Sequence, residues 1–414
     1  MHIVWIKTEL LHPVHNGGRI RTYNMLRALA RQHRITYLAL DDGTVTDEAR
    51  ALASEYCARL ETVPLAQPAR RSAAFFAALA ANLFSPHPYA VVRWRSAALE
   101  ARLRQIVAAG DVDVVVCDFL APTLNVPRDL GVPVVLFQHN VEAMIWQRHA
   151  EVAGNPLARR YMATQWRRMR ALEASECRRY TKVIAVSDAD AEVFEREYGV
   201  VDPVAVPTGV DTEYFRPADP ALRRPGAMCF IGSMDWLPNE DGVGWFCDAV
   251  LPRIREAMPG ASLAVVGRNP SARVRALHDP ARGVTVTGSV PDVRPHIASA
   301  SLCVVPLRIG GGTRLKIFEG MAMALPTVST AVGAEGLPVT DGVHLALADE
   351  ADAFADACIA LLRDPARARA MGAAADAYVR EHFGWDGVAR RFADACAAVA
   401  APASPASSHL VARA

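Results

Sequence analysis

Residues 310 to 319 read Gly-Gly-Gly-Thr-Arg-Leu-Lys-Ile-Phe-Glu, which sets a glycine-rich turn, two cations and a carboxylate at one strand-to-helix junction. The preceding run, Leu302 to Leu307, has the composition of a buried strand. Leu315, Phe318, Met321, Ala322 and Leu325 then recur at helical spacing, which makes Thr313 the natural N-cap and places Arg314 and Lys316 in the first turn. A helix N-terminus carries positive partial charge, so cations there cost roughly 0.3–1 kcal/mol each unless an anion lies among them. Backbone N–H groups, a guanidinium and an ammonium converging on one point are the chemistry of phosphate binding. The plain alternative is a solvated basic turn, which the rarity of lysine, only Lys7, Lys182 and Lys316, makes less natural.

Other chemistry-bearing residues also fall at the ends of apolar runs. His139 follows Val134 to Phe137, so its ring belongs at the carboxyl end of a strand, flanked by Gln138, Asn140 and Glu142. A histidine there can hold or polarise a reacting group, although a lone histidine is more often structural. Gly17-Gly18-Arg19 follows the first apolar run, and Ile20, Tyr23, Asn24, Leu26 and Leu29 place a helix just beyond it, another start that offers N–H groups to an anion. A redox dinucleotide site would use the same loop with Asp41 as the ribose acid, but the Gly-x-Gly-x-x-Gly fingerprint is absent. Gly232-Ser233-Met234, Val265 to Asn269 with Gly267 and Arg268, and Gly288-Ser289-Val290 are three more turns after strands, each of which can be a turn and nothing else.

The elements that must position these residues alternate along the whole chain. Ile3 to Ile6, Ile35 to Leu40, Val112 to Cys117, Val132 to Phe137 and Lys182 to Val186 are expected strands of a first half. Ala227 to Ile231, Ser262 to Val266, Val284 to Thr287, Leu302 to Pro306 and Thr327 to Ser329 are those of a second, with helices such as Gly242 to Ala257 and Asp352 to Leu362 between them. Strand–helix alternation implies parallel sheets wrapped by helices, and two series imply two doubly wound α/β domains with ligands beyond the strands' carboxyl ends. Val201 to Pro220, rich in proline and glycine, reads as the linker.

Composition narrows the classes. The chain has 414 residues, 51% of them hydrophobic, enough for two ordinary cores. With 45 basic and 44 acidic side chains there is no whole-chain field to draw nucleic acid, so any anion site is local. The basic stretch Arg159 to Arg179, with Trp166, Arg167, Arg168 and Arg170, is broken by Glu173 and Glu176 and reads as a surface brace. Eight scattered cysteines without a Cys-x-x-Cys pair point neither to zinc nor to a disulfide framework and fit a reducing cytosol. No segment approaches about 18 uninterrupted apolar residues, and the opening run Met1 to Ile6 is too short for a signal sequence, so a cytoplasmic location is expected. Asp-x-Asp occurs at Asp111–Asp113 and Asp188–Asp190, but one opens a strand and the other a helix away from the phosphate turn, so no metal is expected.

In order along the chain these stretches resemble the GT-B glycosyltransferases of family 4, nucleotide-sugar-dependent retaining enzymes. The most specific segment is 310–337, GGGTRLKIFEGMAMALPTVSTAVGAEGL, followed by Gly342 and Trp385. Looser features are Gly17-Gly18, Gln138-His139-Asn140, Val186-Ser187 and Pro207-Thr208-Gly209-Val210-Asp211. The resemblance implies two Rossmann-like parallel-sheet domains facing each other across a cleft. These are an acceptor-side domain at 1–205 and a nucleotide-sugar domain at 206–382, with a helix at 383–400 returning to the first and a flexible tail at 401–414. It implies His139 near the transferred sugar, Arg314 and Lys316 on the diphosphate, and Glu319 on the ribose. Gly17, Gly18, Gly232, Arg268, Gly311, Gly312 and Thr313 would complete the donor site. The first of the family's two glutamates, eight positions before Glu319, is Gly311 here. The GGGTRLK subset implies bacterial exopolysaccharide or related surface-glycan synthesis. No cofactor is implied, the nucleotide sugar being the donor, and the acceptor would be a saccharide or lipid-linked glycan. Arg70, Arg71, Arg93 and Arg95 flank an apolar stretch with Phe75, Phe76, Leu79, Leu83, Phe84 and Trp94, which suits either an anionic membrane surface or the wall of an acceptor cleft. Two other functions fit the same architecture: a nucleotide-sugar 2-epimerase, and a non-catalytic partner in glycan assembly.

Overall fold

The computed structural model describes residues 1–14, 17–69, 71–151, 155–309 and 315–400. They form two compact units, one comprising Met1–Pro207 and the residues from Ala389 onward, the other Thr208–Val388.

The first unit is built on seven parallel strands: β1 (His2–Lys7), β2 (Arg34–Asp41), β3 (Arg59–Pro64), β4 (Val114–Asp118), β5 (Val134–Phe137), β6 (Lys182–Ala185) and β7 (Val204–Ala205), in the order β3-β2-β1-β4-β5-β6-β7. Every residue of β1, β4 and β5 is buried, as expected where helices cover both faces of a parallel sheet. Four helices matter for the site: α1 (Gly17–Leu29), α2 (Ala73–Asn82), α3 (Glu142–Glu151) and α4 (Pro156–Arg179). Ser72 caps α2 through the Phe75 N–H, and Asn155 caps α4 with Pro156 at its first position, where a missing N–H costs nothing. Phe392, in the closing helix Trp385–Ala400, packs on Trp5 and Phe137 with ring centroids 5.4 and 5.0 Å apart.

The second unit repeats the plan with six parallel strands: β8 (Ala227–Ile231), β9 (Ser262–Val266), β10 (Val284–Gly288), β11 (Leu302–Val305), β12 (Thr327–Ser329) and β13 (Ala346–Leu347), in the order β10-β9-β8-β11-β12-β13. The helices used below are α5 (Leu237–Trp245) and α6 (Leu315–Ala322). In both sheets the strand order reverses once, between β1 and β4 and between β8 and β11. A doubly wound sheet opens its crevice at such a reversal.

Three elements differ from the sequence expectation. The strand β3 has no apolar run to announce it: Arg-Leu-Glu-Thr-Val-Pro lies at the sheet edge, where charged residues and a terminal proline are tolerated. The helix expected at Gly242 begins at Leu237, because Pro238 sits in its first turn. It then widens over Phe246–Val250, where the Leu251 N–H reaches back to the Phe246 carbonyl. Pro252 would clash with the carbonyl four residues earlier, and the wider turn accommodates it. Finally, β7 lies inside the stretch expected to be linker and pairs with β6.

Candidate functional site

Two strand ends flank the reversal in the first sheet, and each delivers a charge. The register that pairs Ile6 with Cys117 sets Lys7 and Asp118 side by side at the carboxyl edge. Lys7 Nζ donates to Asp118 Oδ2 at 2.7 Å. The same oxygen accepts from Thr22 Oγ1 at 2.7 Å and Trp5 Nε1 at 3.0 Å, and Lys7 also donates to Thr22 Oγ1 at 3.1 Å. Lys7 is 2% exposed and Asp118 fully buried. Burial by itself would raise the Asp118 carboxyl, but the Lys7 ammonium and His139 together outweigh it and hold the group well below the usual carboxylate range.

His139 lies on the other side of this carboxylate. Its Nε2 stands 2.7 Å from Asp118 Oδ1 in a contact that misses hydrogen-bond geometry, so Oδ1 and both ring nitrogens lack a hydrogen-bonded partner. The ring is 2% exposed. Burial pushes its pKa down to about 3 despite the opposing pull of Asp118, so at neutral pH the imidazole is uncharged. Phe119 stacks on it with ring centroids 3.8 Å apart and is itself held at φ 74°, a left-handed conformation that a bulky residue adopts only when its surroundings impose it. The imposing contacts are the Phe119 N–H to the Phe137 carbonyl at 2.9 Å and the Lys7 ammonium 4.3 Å over the Phe119 ring. Arg21, also buried, donates to the His139 carbonyl at 3.4 Å.

Two glutamates deepen the site. Glu173, fully buried on α4, accepts from the Glu142 and Ala143 N–H groups at 2.8 and 2.9 Å, from Gln138 Nε2 at 3.1 Å and from the Tyr198 hydroxyl at 3.0 Å. It thereby caps the N-terminus of α3, where a carboxylate opposes the helix dipole favourably. Burial nevertheless raises its pKa to about 7. The Glu142 carboxyl, at the start of α3, is also pushed up to about 7 by burial, with Asn140 pulling the other way. It lines a cavity of about 210 Å³ together with Lys7, Glu9, Val91, Phe119 and Met169.

In the second unit β8 ends in the turn Gly232-Ser233-Met234, and α5 brings back Asn239, which is buried. Asn239 Nδ2 donates to the Ser233 carbonyl at 2.8 Å, and its Oδ1 accepts from Lys316 Nζ, at the start of α6, at 2.5 Å. The Lys316 ammonium also lies 4.5 Å over the Phe230 ring. A Cβ on Gly232 would come within 2.7 Å of Asn239 Nδ2 and 3.2 Å of Lys316 Nζ, and one on Gly267 within 1.7 Å of the Gly232 carbonyl oxygen. Only glycine lets these two turns close on each other. Arg268 completes the locus, its carbonyl accepting from the Met234 N–H at 2.9 Å and its Nε donating to Ser233 Oγ at 3.1 Å. Glu319, one turn beyond Lys316, is raised to about 7 by burial, with Lys316 opposing.

Of the residues singled out in the sequence, the structure therefore gathers Gly232, Arg268, Lys316 and Asn239 at the carboxyl ends of β8 and β9. Gly311, Gly312, Thr313 and Arg314 lie outside the described residues, as does Arg70. Gly17 and Gly18 form the first turn of α1 itself, so that helix begins earlier than expected, and a Cβ on Gly17 would meet nothing within 4 Å. Asp111 pairs with Arg34 at 2.6 Å and His2 at 3.3 Å. Among the described residues, no group of three or more histidine, cysteine, aspartate or glutamate side chains is placed to hold a metal ion. Sequence reasoning missed Lys7, Thr22 and Asp118. The signal was there: Lys7 and Asp118 are single charges that end otherwise apolar strands.

The chain is similar to known proteins over both units. Residues 15–214 match the family described as Glycosyltransferase Family 4, and residues 225–364 match Glycosyl transferases group 1. A GDP-mannose-dependent alpha-(1-6)-phosphatidylinositol monomannoside mannosyltransferase of Mycobacterium tuberculosis is 32% identical over 214 residues, 46% of this chain and 54% of that one. A D-inositol 3-phosphate glycosyltransferase of Mycolicibacterium paratuberculosis is 30% identical over 43% of each chain. The chain thus spans about half the length of the curated relatives it matches. Among solved structures, Anabaena HepE in complex with UDP and glucose aligns over 95% of this chain and 99% of its own, with a TM-score of 0.63 at 14% identity. WaaG, a glycosyltransferase involved in lipopolysaccharide biosynthesis, aligns over 95% and 98%, with a TM-score of 0.60 at 16% identity. At such identities the likeness is one of fold.

Proposed function

The chain carries a Glycosyltransferase Family 4 domain followed by a Glycosyl transferases group 1 domain, and from that premise we propose that it is a retaining glycosyltransferase. It moves a sugar from a nucleotide-diphosphate sugar to a saccharide or lipid-linked acceptor. The observation that carries this reading is the Lys316 locus in the second unit, where the ammonium meets the glycine turn after β8 and a carboxyl, Glu319, follows one turn later on α6. Lys316 meets the diphosphate and, with Arg314, stabilises the charge that grows on it as the glycosidic bond breaks, without a metal. Glu319 accepts the ribose hydroxyls. Retention follows when the acceptor hydroxyl attacks from the face the diphosphate leaves, with a phosphate oxygen taking its proton. His139, neutral and beside Asp118, helps to position the reacting groups through Phe119, on which it stacks, and does not carry charge.

A thermal-shift screen of UDP-, GDP- and dTDP-sugars tests the reading. A ligand at a hundred times its dissociation constant stabilises the protein by about 2.7 kcal/mol, and Lys316→Ala removes most of that shift. A variant that binds the donor like the wild type rejects the assignment. Transfer that persists in EDTA and gives an anomer matching the donor checks the metal-free and retaining parts.

The GGGTRLK sequence supports a place in surface or exopolysaccharide synthesis, on the cytoplasmic side of the membrane. No described helix is long and apolar enough to cross a membrane. At the end of α2, however, Phe76, Leu83 and Phe84 are exposed, Phe84 to 93%, with Arg71 and Arg95 also exposed nearby in sequence. Apolar side chains in water beside arginines favour peripheral contact with an anionic bilayer. Co-flotation with anionic liposomes, lost in Leu83→Ser/Phe84→Ser, is the expected result.

A further inference from the structure

We infer that the cavity beyond β1 and β4 is a subsite for an uncharged polyhydroxyl ring, gripped by the carboxyl groups of Glu142 and Glu9, and that it turns away a ring bearing phosphate. This rests on the reading of the protein as a glycosyltransferase whose first unit takes the acceptor. The cavity holds about 210 Å³, room for roughly seven waters at about 30 Å³ each, or for one sugar ring. Its apolar walls, Val91, Phe119 and Met169, suit the C–H face of such a ring, and its acidic walls suit hydroxyl donors.

The case against an anion lies in how the nearby cations are spent. Lys7, the one cation among the described residues that line the cavity, gives two of its donors to Asp118 and Thr22 and is neutralised by a buried carboxylate. Arg19 pairs with Glu9 at 2.6 Å. Among the described residues of the wall a phosphate would find no uncompensated cation and would face Glu142, whereas hydroxyl groups find acceptors. His139 takes no part in the wall, since Phe119 lines the cavity and stacks on the imidazole. Glu142 is therefore, with the Arg19-paired Glu9, the acidic group that meets the ring. Its carboxyl, which burial keeps close to neutrality at pH 7, can accept a hydroxyl hydrogen bond or donate one.

Saturation-transfer NMR on the full chain tests this with methyl α-D-mannopyranoside and myo-inositol as neutral probes and D-myo-inositol 3-phosphate as the anionic one. The neutral probes bind the wild type and weaken about tenfold in Glu142→Gln, the loss expected for one hydrogen bond to the carboxyl group. The phosphate probe binds only Glu142→Lys, whose fold is checked by circular dichroism. Equal binding of the phosphate by the wild type, neutral binding unchanged in Glu142→Gln, or no neutral binding at all overturns the proposal. Nucleotide binding is measured on the same samples. Its absence beside Glu142-dependent sugar binding removes the glycosyltransferase reading and leaves the subsite, whereas its presence beside Glu142-independent binding removes the subsite alone.

Discussion

Replacing Asp118 with asparagine removes one charge from a pair that has no access to water. Lys7 is 2% exposed, and among the described residues its ammonium meets Asp118 Oδ2, Thr22 Oγ1 and the Phe119 ring. An unpaired buried ammonium costs about 3–5 kcal/mol. Asparagine keeps an acceptor for Thr22 and Trp5, which places the expected loss near the lower end, about 3 kcal/mol. Lys7→Met/Asp118→Leu, which removes both charges, should cost less than Asp118→Asn alone. Because the chain has two units, one melting temperature does not isolate this effect, so amide exchange in β1 and β4 is the appropriate assay. A 3 kcal/mol loss lowers their protection by about two orders of magnitude. The pH dependence has a definite sign. Asp118 has a folded pKa below its unfolded one, so its contribution is present above the unfolded value of about 3.9 and is lost only as pH falls further. The wild-type-to-variant difference should therefore be constant from pH 5 to 8. Wild-type exchange in Asp118→Asn would show that Lys7 does not depend on the charge, and the account of this site would fail.

Three further outcomes are expected. Gly232→Ala puts a methyl group 2.7 Å from Asn239 Nδ2 and 3.2 Å from Lys316 Nζ, so it should displace both and weaken nucleotide binding at least about tenfold in calorimetry; unchanged affinity would dismiss the locus. Glu319 starts near pKa 7, and ribose hydroxyls favour its ionised form, so nucleotide affinity should fall as pH drops from 8 to 6. Glu319→Gln should bind weakly and without that slope, and an equally steep slope in the variant would exclude Glu319 as its source. Glu173 is raised from an unfolded value of about 4.3 to about 7, so ionisation penalises the folded state and stability should decline as pH climbs through that window, then level off. Glu142 and Glu319 act with the same sign. Glu173→Gln should therefore reduce the decline measured by urea unfolding without abolishing it, and an undiminished decline would contradict the assignment.

The two-unit plan was legible because parallel strands covered on both faces must be apolar throughout, and runs such as Val114 to Cys117 or Leu302 to Val305 have no other use. The turn at Gly232 was legible from a glycine closing an apolar run, whereas Gly17 and Gly18 belong to α1. The rest depended on partnership. Glu173 and Glu176 read as polar breaks in a basic helix, yet both are buried, Glu173 capping α3 and Glu176 binding Arg179 at close range. Residue type alone cannot separate a solvated glutamate from one that satisfies four donors inside a core. Nor could it separate Lys7 and Asp118, 111 positions apart in sequence and 2.7 Å apart in space, until the sheet order made their strands neighbours. The wide turn at Phe246–Val250 is the opposite case, since Pro252 announces a disturbance that a helical repeat of apolar residues conceals.

The two sheets share one topology, and their reversals differ in a way that favours the second for the proposed diphosphate. In both, a lysine arrives at the carboxyl edge: Lys7 from β1 itself in the first unit, Lys316 from the helix that reaches the end of β8 in the second. Lys7 meets Asp118, and the two charges cancel in a place water does not reach. Lys316 meets the amide oxygen of Asn239, and the acid on its own helix, Glu319, is raised toward neutrality, so near pH 7 that acid offsets only part of the ammonium's charge. A diphosphate arriving at the first reversal would have to break an ion pair, and at the second it would complete a charge balance. The same topology thus holds the lysine of one reversal in a buried ion pair and sets that of the other against an amide oxygen. The partners differ in charge and in origin, an aspartate at 118 that ends β4 against an asparagine at 239 on α5. Asn239→Asp should therefore give Lys316 a charged partner, mimic the first unit, and weaken donor binding at least about tenfold, and a variant with undiminished affinity would refute this division of labour.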